Sequence, residues 1–177
     1  MQKKKIEHFI FLSSSMVYGN FKKTKVKESD YCNPIGIYGT LKLSAENIIK
    51  AYGQVFNLPY TIIRPSALYG ERCISRRVGQ VFIESAINKA PIIINGNGEE
   101  KLDFTYIEDL INGIICSIKS KNSLQEIFNI TYGKSKKIND MLGILKNNFP
   151  NISVTYKKRD KLVPLRGTLN TDKAKKL

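Results

Sequence analysis

Histidine is almost missing from this chain of 177 residues: His8 is the only one. Cysteine is scarce too, and Cys32, Cys73 and Cys116 are odd in number and far apart. These shortages exclude a disulfide framework and leave no metal-ligand spacing. Long apolar runs are absent, since none approaches the ~18 residues that mark a membrane span. The early stretch "IEHFIFL" is broken by Glu7 and His8 and precedes no clean small-x-small cleavage site. It reads as a buried strand rather than a secretory leader. A cytoplasmic chain with no membrane partner is expected. Acidic residues are few, 15 against 29 basic ones, for a net charge of +14. That excess suits a polyanion, whether nucleic acid, membrane surface or phosphorylated substrate. The lysines, however, fall in short scattered groups, and no basic run alternates with aromatics as a stacking platform requires. No specific nucleic-acid partner is expected.

What is present is ordinary globular material, 42% hydrophobic and 25% charged, enough for one domain with a small lobe. Apolar patterning predicts strands at 6–12, 60–65, 91–96, 102–107, 126–132 and 152–156. Helical patterns lie between them at 36–57, 76–89, 107–119 and 138–149. The first of these puts Leu41, Ala45, Ile48, Ile49 and Tyr52 on one face. Residues 20–35 read as a loop and 157–177 as a basic tail. Strands alternating with helices predict an α/β fold with parallel strands and crossover helices. Ligands in such sheets sit beyond the carboxyl ends of strands. "SSS" (13–15), "RPSALYG" (64–70) and "TYGKS" (131–135) fall there.

Chemistry enters at Tyr38 and Lys42. Composition alone yields roughly 1.2 Tyr-x-x-x-Lys pairs by chance. The chain has three, two of them being Tyr38/Lys42 and Tyr132/Lys136. The first lies on a helix, where residues i and i+4 are neighbours. An ammonium beside a phenol favours phenolate and equips it to move a proton near neutral pH. The second follows a strand in a polar turn with Gly133 and is not held on one face. Its "GKS" is no phosphate loop, because Phe128 stands where the earlier glycine would be. Ser13, Ser14 and Ser15 close the strand before the first helix, so a hydroxyl can join Tyr38 and Lys42 in handling alcohol or carbonyl protons. The same serines read equally well as a turn that satisfies strand-end backbone groups.

Five blocks occur in order: "FIFLSSSMVYG", "NPIGIYGTLKLSAE", "TIIRPSALYGE", "GNGEEKLDFTYIEDLINGI" and "EIFNITYG". Together they resemble the signature blocks of the extended short-chain dehydrogenase/reductases, above all the NAD-dependent nucleotide-sugar epimerases and dehydratases. The resemblance covers nearly the whole chain. It implies the C-terminal portion of a Rossmann-like doubly wound parallel sheet plus a small α/β substrate-binding lobe. Residues 1–70 would form the catalytic part and 71–177 mainly the lobe, with about 107–132 returning to the sheet. A Ser-Tyr-Lys site is implied: Ser14, with Tyr38 as acid/base for a sugar hydroxyl and Lys42 on the nicotinamide ribose. Leu12, Ser13 and Pro65 would join Tyr38 and Lys42 beside NAD or NADP. A nucleotide-diphosphate sugar would meet Ser14, Ala67, Arg76, Arg77, Val78 and Arg159. A homodimer through the helix of Tyr38 and Lys42 is also implied.

Departures from the family pattern shift these expectations. Dehydratases of the family carry Asp-Glu just after the catalytic Ser/Thr, whereas Ser15 and Met16 stand here, which favours an epimerase. Ala67 replaces an asparagine common among relatives, and Leu102 an arginine that contacts the diphosphate. Arg76 or Arg77, with Arg159, are expected to take over that contact, though each reads equally well as surface charge. The family's strand-GxxGxxG-helix, which holds the dinucleotide pyrophosphate, has no counterpart, since Gly96 and Gly98 mark only a turn. The sequence therefore resembles a truncated enzyme, expected to expose an apolar strand edge and to bind NAD poorly by itself. A related reductase or decarboxylase is the alternative within the fold. A non-catalytic remnant or interaction module is the alternative outside it.

Overall fold

The computed structural model describes residues 6–75 and 77–177. In chain order the first elements are β1 (Phe9–Leu12), β2 (Lys25–Val26), α1 (Gly36–Phe56), β3 (Tyr60–Arg64), β4 (Leu68–Tyr69) and α2 (Val78–Ile87). Next come β5 (Ile92–Asn95), β6 (Lys101–Leu102), β7 (Thr105–Tyr106), α3 (Ile107–Lys119) and β8 (Glu126–Asn129). The chain ends with β9 (Lys136–Lys137), α4 (Ile138–Asn148), β10 (Val154–Lys157) and β11 (Thr168–Leu169).

A parallel sheet of order β1-β3-β8 is the centre. Phe9 lies opposite Tyr60 in the first pairing, and Thr61 opposite Glu126 in the second. Parallel neighbours need crossovers, and α1 and α3 supply them on opposite faces. Phe11, Tyr60, Ile62 and Ile127 pack with Ile49 of α1. The alternate residues Ile10, Ile63 and Phe128 pack with Ile107, Leu110 and Ile114 of α3. All five residues of β3 are buried, as expected of a strand covered on both faces. This is a doubly wound Rossmann-like arrangement.

The buried face of α1 differs from the expected one. Of the five residues predicted to share it only Ile49 is buried, while Leu41, Ile48 and Tyr52 are exposed. The stripe turned to the sheet is Gly39, Glu46, Ile49 and Gly53. Close approach is the reason: a Cβ on Gly39 would sit 2.7 Å from Met16 O, and one on Gly53 would sit 2.5 Å from the Tyr60 ring. Small residues rather than large apolar ones let this helix touch the sheet.

A second layer forms the lobe. β5 pairs in parallel with β10, and β6 antiparallel with β9. Phe82, Ile92, Ile94, Leu102, Ile138, Leu142 and Leu145 make its core, with α2 and α4 against the strands. Two sequence expectations change here. Residues 102–107 are not one strand, because β6 and β7 belong to different sheets and buried Asp103 lies between them. Nor is 157–177 a loose tail: β11 pairs with β2, and Leu169 is buried with Val17, Tyr18 and Val26.

Candidate active site

Past Leu12 the first strand keeps its pairing, with Ser13 N donating to Ile63 O at 2.7 Å and Ser15 N to Pro65 O at 2.9 Å. Ser14 then accepts from Met16 N at 3.2 Å and caps a short 3-10 turn, Ser15–Tyr18. Ser13 turns inward and donates its hydroxyl to Glu46 Oε1 at 2.5 Å. The serine cluster is thus a strand-end turn and a rim of the cavity at once.

Lys42 fastens α1 to this rim, since its Nζ donates to Leu12 O at 2.7 Å. The ammonium stands 5.9 Å from the centre of the Tyr38 ring and 4.9 Å from that of Phe11. Tyr38 is half exposed, and its side chain borders the same space as Ser14. That space is a cavity of about 870 Å³ between the sheet and the lobe. Leu12, Ser13, Ser14, Tyr38, Lys42, Pro65, Ala67, Arg77, Val78 and Arg159 all line it, whereas Arg76 lies outside the described residues. The second pair, Tyr132 and Lys136, is not among the lining residues.

The cavity is also lined by Arg77, Arg159 and Arg166, with Glu100 and Asp160 as its acidic lining residues. Arg77 Nε donates to Ser75 Oγ at 3.0 Å, and Arg159 Nη2 donates to Val163 O at 2.7 Å. Arg159 Nε lies 3.7 Å from Glu100 Oε1. Burial, with the charges of Arg77 and Arg159, holds the Arg166 guanidinium below its ordinary range. With Lys42, the three arginines outnumber the two lining carboxylates, so the cavity is net positive and suited to an anion. Arg166 was not expected from the sequence. The available signal was residue type: only six of the 29 basic residues are arginine, the side chain whose planar fork fits phosphate.

A buried polar network lies behind the cavity floor, and it too was not expected. Arg64 reaches Glu46 through Nε at 2.9 Å and Nη2 at 2.6 Å, and its Nη1 donates to Tyr18 OH at 2.9 Å. Tyr18 OH donates in turn to Asn129 Oδ1 at 2.7 Å. Burial pushes the Tyr18 phenol well above its usual range, against the pull of Arg64, so it stays a neutral donor.

Residues 1–131 match the model of the NAD dependent epimerase/dehydratase family. The chain belongs to that family. It is 34% identical, over 71% of its length, to the uncharacterized UDP-glucose epimerase YtcB of Bacillus subtilis (strain 168). Among solved structures it is similar to the UDP-glucuronic acid 4-epimerase of Bacillus cereus, in complex with UDP-glucuronic acid and NAD. That likeness has a TM-score of 0.93 and 29% identity over 99% of this chain. It is also similar to the UDP-glucose 4-epimerase of Thermotoga maritima with UDP-glucose, at a TM-score of 0.88 and 28% identity over 96% of this chain. The chain spans 39% of the length of the curated relative and 56% of each solved one. No helix among the described residues is long and apolar enough to cross a membrane.

Proposed function

We propose that this chain carries the catalytic and substrate-binding part of an NAD(P)-dependent nucleotide-sugar epimerase. One observation supports this most: a single cavity joins a Ser14-Tyr38-Lys42 rim to an Arg77-Arg159-Arg166 wall. A diphosphate on the wall would deliver its sugar to the rim. Tyr38 takes the sugar hydroxyl proton as the carbonyl forms and returns it when the alcohol is restored. Ser14 already accepts the Met16 N–H, so its own proton is left to donate to the sugar oxygen.

The rim also fits a nicotinamide ribose, since Lys42 uses one of its three donors on Leu12 O and keeps two for ribose hydroxyls. NAD, when bound, supplies a hydride acceptor that can return the hydride. Position 15 is serine and position 16 methionine, so no carboxylate stands beside Ser14 to expel water, which favours epimerisation over dehydration. On α1, Ile37, Leu41, Ile48, Tyr52 and Val55 form an exposed apolar stripe that suits a homodimer through this helix.

Titration calorimetry with UDP tests the anion wall. Replacing one guanidinium, Arg166→Ala, is expected to weaken binding about tenfold, the worth of one charge-assisted hydrogen bond. UDP binding that is absent, or indifferent to Arg166, overturns the reading. Tyr38→Phe is expected to leave UDP affinity unchanged and to abolish any interconversion of UDP-sugars followed by NMR with NAD present.

A further inference from the structure

We infer that Asp103 is a positioning residue for the guanidinium wall: it latches a strap, residues 158–171, so that Arg159 and Arg166 line the cavity together with Arg77. The inference rests on the anion-binding reading of that wall. The strap leaves the lobe at the end of β10, which pairs with β5, and reaches the other side at β11, which pairs with β2. Arg159 and Arg166 lie between these two anchors. Their charges and that of Arg77 repel, so the strap needs a fastening against its own electrostatics.

Asp103 supplies that fastening, fully buried between β6 and β7. Its Oδ2 accepts Leu169 N at 3.0 Å and Thr131 Oγ1 at 3.1 Å, and its Oδ1 accepts Gly133 N at 3.0 Å. Both oxygens act as acceptors, which a carboxylate provides and an amide cannot. Beside it, Ser135 N and Oγ contact Thr168 Oγ1 at 3.2 and 2.7 Å. Gly133, at φ +79°, lies so close to Thr171 that a Cβ would be 2.9 Å from its Oγ1. The "TYGKS" segment thus grips the strap beyond the third strand of the sheet. Among the described residues Asp103 bonds to none of the three arginines and acts on the wall only through the backbone it holds.

The test is UDP titration of the full 177-residue chain, with trypsin cleavage after Arg159 and Lys161 as a second reading. Asp103→Asn is expected to weaken UDP about tenfold, the effect of losing a buried charged acceptor, and to speed strap cleavage. In an Arg159→Ala/Arg166→Ala background the same change is expected to alter UDP affinity less than about twofold, because the groups it positions are gone. General damage to the fold would weaken binding in both backgrounds. If Asp103→Asn does not fold, Thr131→Val, which removes one donor and keeps the carboxylate, is expected to show a smaller effect in the same direction. A folded variant with wild-type UDP affinity overturns this inference alone. A wild type that binds no UDP overturns the anion-site reading and this inference with it.

Discussion

Arg64 meets Glu46 side-on between sheet and helix, with Nη2 2.6 Å from Oε2, Nε 2.9 Å from Oε1, and both side chains sealed from water. Desolvation makes such a pair expensive unless its remaining polar atoms are satisfied. Here they are: Ser13 donates to Glu46, while Tyr18 OH and Glu28 O accept from Arg64 Nη1. Burial is the largest single influence and opposes the Arg64 charge, but the Glu46 hydrogen bonds and the negative potential of the surrounding groups together raise the guanidinium above its ordinary range. One network therefore ties the ends of β1 and β3 to α1, the helix of Tyr38 and Lys42.

Removing one partner is expected to be costly. Glu46→Gln strands a buried guanidinium and should lower stability by about 3–5 kcal/mol, read by urea unfolding. The paired replacement Glu46→Leu with Arg64→Met leaves no orphan charge and should cost less than the single change. A single-variant loss below about 1 kcal/mol would show that the network does not fasten the helix.

The parallel sheet was legible because alternation of short apolar runs with helical periods reports chain topology directly. The face of α1 was not. Hydropathy favours Leu41, Ile48 and Tyr52 for the core, but contact distance decided for Gly39, Glu46 and Gly53. Asp103 hid inside "LDFTYI", where a carboxylate looked like an interruption of one strand. Its partners come from 131, 133 and 169, and local pattern cannot express that convergence. Arg166 was concealed by the lysines around it. The Ser14, Tyr38 and Lys42 grouping came from motif order, since spacing alone is shared with Tyr132 and Lys136.

UDP and NAD should separate in titration. The cationic wall lies within this chain, whereas a strand-GxxGxxG-helix for a dinucleotide pyrophosphate does not. Calorimetry on the 177-residue chain is expected to give UDP binding and NAD dissociation constants weaker than about 100 μM. Micromolar NAD affinity would mean that Lys42 and the strand ends suffice to hold the cofactor.

The cysteines should differ in reactivity. Burial pushes the Cys32 thiol up, while hydrogen bonding around Cys73, chiefly from the Arg77 backbone, pulls that thiol down. The thiolate is the nucleophile, so iodoacetamide at pH 7.5 should modify Cys73 about tenfold faster than Cys32. Peptide mass spectrometry against time reads the order. Faster modification of Cys32 would mean that Cys73 does not keep its hydrogen bonds to Ser75 and Arg77 in solution.

Asp103 should also leave a pH signature in stability. Burial raises its carboxyl above the ordinary value of 3.8, although Leu169, Thr131 and Gly133 pull the other way. The folded chain therefore keeps a proton at Asp103 over a range where the unfolded chain has released it. Stability from this group is fully present below the unfolded value and is lost as pH rises through the folded one. Asparagine carries no such dependence. Urea unfolding from pH 3.5 to 7 should show wild type exceeding Asp103→Asn by more at the acid end than at pH 7, with the groups common to both chains cancelling in the difference. A margin that grows toward neutral pH would mean that the three hydrogen bonds to the carboxylate outweigh the cost of burying its charge.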